Sequence, residues 1–152
     1  MNYWLMKSEP AVYSIDDLQR DGEEIWDGVR NYQARNFLKS MAVGDIAFFY
    51  HSNTQPPGIA GQMKISQARV VDPTQFDPSS RYYDPKSTTE SPRWHTVKVA
   101  YLETFEQYVS LSQLKAEFSP EQLQVIKRGN RLSVMPIEAA VAQRILKLAH
   151  SR

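Results

Sequence analysis

Six consecutive residues, Trp26-Asp27-Gly28-Val29-Arg30-Asn31, place an aromatic plane, a carboxylate, a glycine, a guanidinium and a carboxamide side by side. Groups of these types sandwich a flat polar ring and read its edge. A tryptophan more often fills a core. A core position is rarely followed by so many polar groups, however, because charges are costly to bury unpaired. Gly28 lets the backbone approach a ligand closely. The run sits at a strand-to-helix junction, where backbone N–H groups are free. It therefore points to a pocket wall, with Trp26 as the stacking surface and Asp27, Val29, Arg30 and Asn31 around the ring.

Other groups could join it. Lys7-Ser8-Glu9-Pro10 ends the first strand, where Ser8 offers a donor and an acceptor and Glu9 accepts. Tyr50-His51-Ser52-Asn53 ends a second strand. In Arg128-Gly129-Asn130-Arg131-Leu132-Ser133 two arginines flank a glycine turn, a pattern that suits phosphate oxygens or, more plainly, a solvated helix end. Arg30, Arg35 and Lys39 could extend that surface. Arg81-Tyr82-Tyr83-Asp84 and Pro92-Arg93-Trp94 interleave arginines with rings, which suits base stacking as well as a loop pinned by its own aromatics.

Catalytic readings find less support. His51, His95 and His150 are too far apart in sequence to form a metal motif, and there is no cysteine. Ser8, Ser52 and Ser133 lie in no Gly-x-Ser-x-Gly elbow. Glu9, Asp27 and His51 in one pocket would suit acid–base work on a nucleotide. The expectation is a binding protein with no catalytic residues, metal or cofactor. A sensor for a free nucleoside-like ligand is the alternative.

Elements must hold these groups in place. Tyr3 to Lys7 reads as a strand. Ser14 caps a helix with Asp16 and Asp17 in its first turn. Asn31 caps the next, with Ala34, Phe37, Leu38 and Met41 on one face. Ile46 to Tyr50 is a buried strand, and Ile59 to Val71 a long or bulged one with Gly61 at the irregularity. Asp72 to Arg93 is a long irregular stretch, of the kind that is functional or mobile. Trp94 to Phe105 is strand, and Ser112–Glu117 and Pro120–Lys127 are short helices. Leu132 to Val134 is strand, and Pro136 opens a last helix whose face is Val141, Ile145, Leu148 and Ala149. The fold class is α+β: a curved, mostly antiparallel sheet with flanking helices.

The 152 residues suit one domain, residues 1–152. With 18 basic and 17 acidic residues the net charge is +1, so charge alone would not coat a nucleic acid. No apolar run spans a membrane, and the N-terminus has no signal-peptide pattern; the cytoplasm is the expected location.

Taken together, Tyr3–Pro10, Trp26–Arg35, Gly44-Asp45, Phe49–Ser52, Gly58–Gly61, Tyr83–Lys86, Pro92–Trp94 and Arg131–Pro136 resemble the EVE domain. The match runs in order along nearly the whole chain, with Gln62 standing where an apolar residue is expected. The resemblance implies a PUA-like, β-barrel-like sheet related to YTH domains. It implies binding of RNA or DNA carrying a flipped or unpaired, modified base in an aromatic pocket. By position, Lys7-Ser8 and Trp26 correspond to the Lys-Ser pair and first cage tryptophan of a YTH pocket. Asp27, Arg30, Asn31, His51 and Ser52 follow less directly, and Trp94, Tyr82 and Tyr83 compete for the second wall. Arg35, Arg128 and Arg131 are the phosphate-binding candidates.

Overall fold

The computed structural model describes residues 1–151. Six strands form one mixed sheet: β1 (Tyr3–Ser8), β2 (Glu23–Ile25), β3 (Ile46–His51), β4 (Gly58–Val71), β5 (His95–Ser110) and β6 (Val134–Ile137), in the order β2-β5-β4-β3-β1-β6. Only β1 and β3 run parallel, with Ser8 opposite His51; the other neighbours are antiparallel. The sheet is open, with β2 and β6 at its edges.

Register shifts within the β4–β5 pair bend the two longest strands, because each extra residue adds local twist. Gly61 sits at one such shift, where an added Cβ would collide with the Glu103 carbonyl. Beside it, Gln62 donates to the Glu103 carboxylate at 2.9 Å, which accounts for the polar residue there.

Four helices cover the sheet: α1 (Ile15–Asp21), α2 (Tyr32–Ser40), α3 (Leu111–Glu117) and α4 (Ala139–His150). Strand alternation sends Leu5 and Phe48 to a core with α3 and α4, and Trp4, Met6, Ala47 and Phe49 to a core with α1 and α2. Ser14 and Asp17 form a capping box on α1, and the Asn31 side chain accepts from Ala34 N–H at the start of α2.

Two local expectations change, and one short strand was not foreseen. Pro136 lies inside β6, not at a helix start: β6 is an edge strand, where a missing N–H costs no ladder bond, and Glu138 is the N-cap of α4. Residues 120–127 form only a 3-10 turn at Gln124–Ile126. The three-residue β2 pairs onto β5, too short a strand to show any periodicity in sequence. Among the described residues no helix is long and apolar enough to cross a membrane.

Candidate nucleic-acid interface

The parallel pairing of β1 with β3 brings their C-terminal ends together. Lys7 N–H donates to Ser133 carbonyl at 2.8 Å, and Ser52 N–H to Ser8 carbonyl at 3.0 Å, tying three chain segments to one corner. Beside that corner opens a cleft of about 700 Å³. Of the expected site residues, Lys7, Ser8, Glu9, Trp26, Asp27, Val29, Arg30, Ser52, Tyr82 and Arg131 all line it. Asn31, His51, Trp94, Arg35 and Arg128 do not.

Trp26 and Tyr82 contribute rings to its wall, and Tyr13 also lines it. Trp26 is 8% exposed and packs edge-on against Phe49, with centroids 5.4 Å apart. Its backbone is fixed by N–H donation to Val97 carbonyl at 3.0 Å and by acceptance from the Thr96 hydroxyl. Tyr82 lies against Gly28: a Cβ there would come within 2.6 Å of the ring. Gly28 also has φ +82°, so both backbone and space call for glycine. Of the three residues competing for the second wall, only Tyr82 lines the cleft; Tyr83 and Trp94 do not.

Asp72 organises this arrangement. It is 1% exposed and accepts from Gly28 N–H (2.9 Å), Arg30 Nη1 (3.0 Å), Thr74 N–H (2.9 Å) and Thr74 Oγ1 (2.6 Å). Burial alone would raise its carboxyl; the bonds from Thr74, Gly28 and Arg30 outweigh that and hold it below the ordinary carboxylate value. Arg30 spends all five of its donors on protein. Nε and Nη2 reach Tyr82 carbonyl at 3.0 and 2.8 Å, Nη2 also reaches Thr74, and Nη1 reaches Val29 carbonyl and Asp72. Arg30 therefore lines the cleft as the clamp that fixes Tyr82, with no N–H left for a ligand.

Asn31, His51, Trp94 and Arg35, outside the cleft, are similarly occupied. Asn31 caps α2. His51 Nε2 accepts from Ile15 N–H at 3.1 Å, which fixes a neutral imidazole at the start of α1. Burial lowers its pKa, which favours the same state. The Glu9–Asp27–His51 acid–base set therefore does not assemble in one cavity. Trp94 is 6% exposed, donates to Asp84 at 2.7 Å and stacks on Tyr32 at 4.9 Å. Arg35 lies over the Tyr32 ring and donates to Arg93 carbonyl at 3.0 Å.

The groups that remain open for a ligand are specific. Ser8 Oγ donates to Tyr13 carbonyl, so toward a ligand it can act only as an acceptor. Asp27 is exposed in the open cleft and enters no ion pair among the described residues. Desolvation by the cleft walls, with the charges of Asp72 and Glu24, raises its pKa. Lys7 has its ammonium 5.8 Å from the Tyr50 ring, and burial lowers its pKa. A flat ring with a polar edge would meet apolar faces, a carboxylate and a half-buried ammonium here.

Sequence reasoning missed Asp72, Tyr13 and Glu24. The Asp72-Pro73-Thr74 start of a 3-10 turn signals only a local cap; its pairing with Arg30 joins residues 42 apart.

The EVE domain family model matches residues 2–148. Thymocyte nuclear protein 1 of Mus musculus is 41% identical over 165 residues, covering 97% of this chain and 73% of that protein. A solved Pseudomonas syringae protein superimposes with TM-score 0.92 at 51% identity, over 97% of this chain and 99% of that one. The human THYN1 protein, solved in complex with 5-methylcytosine-containing DNA, gives TM-score 0.91 at 38% identity, over 100% of this chain and 99% of that one. A Zygosaccharomyces rouxii YTH domain shares the fold alone, at 19% identity and TM-score 0.56.

Proposed function

The chain belongs to the EVE domain family, and from that premise we propose that it binds nucleic acid and holds one flipped or unpaired, modified base in the cleft between Trp26 and Tyr82. The observation that carries the reading is the unpaired Asp27 carboxylate lining one cleft with Trp26, Tyr82 and the acceptor Ser8. That set matches a base presenting an exocyclic amine, the donor of a cytosine edge. Its fold relative THYN1, solved with 5-methylcytosine DNA, makes a methylated cytosine the first base to try.

A single buried methyl contributes roughly 1 kcal/mol, about tenfold or less in affinity. Strong selectivity must therefore come from polar groups left unpaired by the wrong base. Asp27 and Ser8 are assigned that role, Trp26 and Tyr82 the stacking, and Arg30 the positioning of Tyr82. The protein is read as a binder that leaves its base unchanged, since His51, the one histidine near the site, is committed to Ile15.

The test is a panel of short single-stranded and duplex oligonucleotides with plain and modified cytosine or adenine at one position, titrated at fixed salt. Tighter binding of one modified base, lost in a folded Trp26→Leu or Tyr82→Leu variant, is expected. Equal affinity across the panel, unchanged by both substitutions, refutes the reading.

A further inference from the structure

Residues 122–137 hold Lys127, Arg128 and Arg131 and no acidic residue. All three cations are exposed, and none enters a salt bridge among the described residues, whereas Arg20, Arg30, Arg93, Lys98 and Arg144 all do. They surround a second cleft of about 300 Å³, and Arg131 lines both this cleft and the base cleft. No aromatic ring lines the second cleft, so it has nothing on which a base could stack.

The loop that carries these cations is fixed in shape. Asn130 Nδ2 donates to Gln124 carbonyl at 2.7 Å, its Oδ1 accepts from Leu132 N–H at 2.8 Å, and its N–H donates to Lys127 carbonyl at 3.0 Å. Gly129 takes φ +80° to turn the chain between the two arginines. Three unpaired cations on a braced turn lose little freedom on meeting an anion, and guanidinium groups match phosphate oxygens.

We propose that the second cleft is a phosphodiester site. Arg131 takes the phosphate beside the base held in the main cleft, and Lys127 and Arg128 take the next one along the strand. The proposal rests on the base-binding reading above and adds a direction to it. The strand leaves the base cleft over Arg131, so contacts on one side of the base are stronger than on the other.

The experiment uses Lys127→Gln, Arg128→Gln and the double variant, with unchanged thermal midpoints as the control for folding. Each is titrated by fluorescence anisotropy against a short single-stranded oligodeoxynucleotide with one central 5-methylcytosine and its unmodified twin, over a salt series. Loss of the one phosphate contact that both side chains share should reduce the salt slope by about 0.7 and weaken binding at low salt. The ratio of affinities for the two twins stays unchanged, since the base cleft is untouched. Trimming nucleotides from one side of the methylcytosine should abolish the penalty of the double variant; trimming the other side should not. An unchanged slope and affinity in the double variant overturns the phosphate site. So does equal sensitivity to trimming on both sides. Trp26→Leu is run in parallel. If it erases base selectivity while the double variant has no effect, the base reading stands and only the phosphate site falls. If the double variant lowers the slope but Trp26→Leu changes nothing, the base reading fails, and with it the placement of this site beside a held base.

Discussion

Gly28→Ala and Gly22→Ala are compared because both glycines have a positive φ, +82° and +81°. A methyl at Gly22 meets nothing within 4 Å; at Gly28 it meets the Tyr82 ring at 2.6 Å, where ordinary contact begins at 3.4 Å. A positive φ costs a residue with a Cβ about 1–2 kcal/mol, and both variants bear a cost of that order. Gly28→Ala adds an overpacking term of about 1 kcal/mol, at the low end because the far edge of a ring can yield. For a chain of this length each kcal/mol lowers the thermal midpoint by about 2–4 °C. Gly22→Ala should therefore lose about 2–8 °C and Gly28→Ala about 2–4 °C more. The larger effect is on binding. With Tyr82 displaced, a stacking contribution of about 1–3 kcal/mol is at stake, on the order of 5- to 150-fold in affinity. Circular-dichroism melts and oligonucleotide anisotropy read the two quantities. In a Tyr82→Ala background the extra cost of Gly28→Ala should vanish, since the clash is gone. Equal midpoint losses for the two glycines, together with unchanged oligonucleotide affinity for Gly28→Ala, refute the packing of Tyr82 on Gly28 as the origin of this wall.

Three further outcomes follow from the same contacts. Arg30→Lys keeps the charge but has three donors for five bonds, so it should cost about 1–3 kcal/mol by denaturant titration and weaken oligonucleotide binding through Tyr82; full stability in this variant contradicts the clamp. Burial lowers the pKa of His51 below 6.5, so its stabilising effect is complete above about pH 6.5 and is lost as pH falls below that value. His95, lowered by burial and by the charges of Lys39 and Arg35, acts in the same direction. Asp45 and Asp72, held below 3.8, add their losses only in stronger acid. The unfolding midpoint should accordingly begin to decline as pH falls below about 6.5, less steeply in His51→Gln, and a midpoint that rises there counts against the His51–Ile15 bond. Because the Asp27 carboxyl is raised by desolvation and its acidic neighbours, oligonucleotide affinity should fall with acid before an ordinary carboxylate would titrate. Asp27→Asn should flatten that pH profile and reduce preference for amine-bearing bases, and a wild-type profile in the variant removes Asp27 from the edge-reading role.

Much of this was legible where the signal is local. The Ser14 and Asn31 caps, the apolar faces of α2 and α4 and the bulge at Gly61 each follow from residues within a turn or a strand of one another. The grouping of Ser8 with Trp26 followed from family resemblance, since the parallel β1–β3 pairing that creates the corner has no local signature. What sequence could not show is how polar groups are spent. Arg30 read as an edge reader, but whether its donors are free depends on partners such as Asp72 and Tyr82, more than 40 residues away. His51 became a helix-capping acceptor for the same reason, and Trp94 was drawn away from the cleft by Asp84 and Tyr32. Tyr82 could be chosen over Tyr83 and Trp94 only once the irregular 77–93 stretch had a path. Pro136 was misplaced because a proline marks an edge strand as well as a helix start, and only the sheet order separates the two.

The most direct test of the base cleft is a paired titration of wild type and Trp26→Leu with an oligodeoxynucleotide bearing one 5-methylcytosine and with its unmodified twin, at one salt concentration. The account predicts tighter binding of the methylated strand by wild type and, in a variant that still unfolds cooperatively, a marked loss of affinity for both strands with little discrimination left. Equal wild-type affinities for the two strands, and the same affinities in Trp26→Leu, would contradict it.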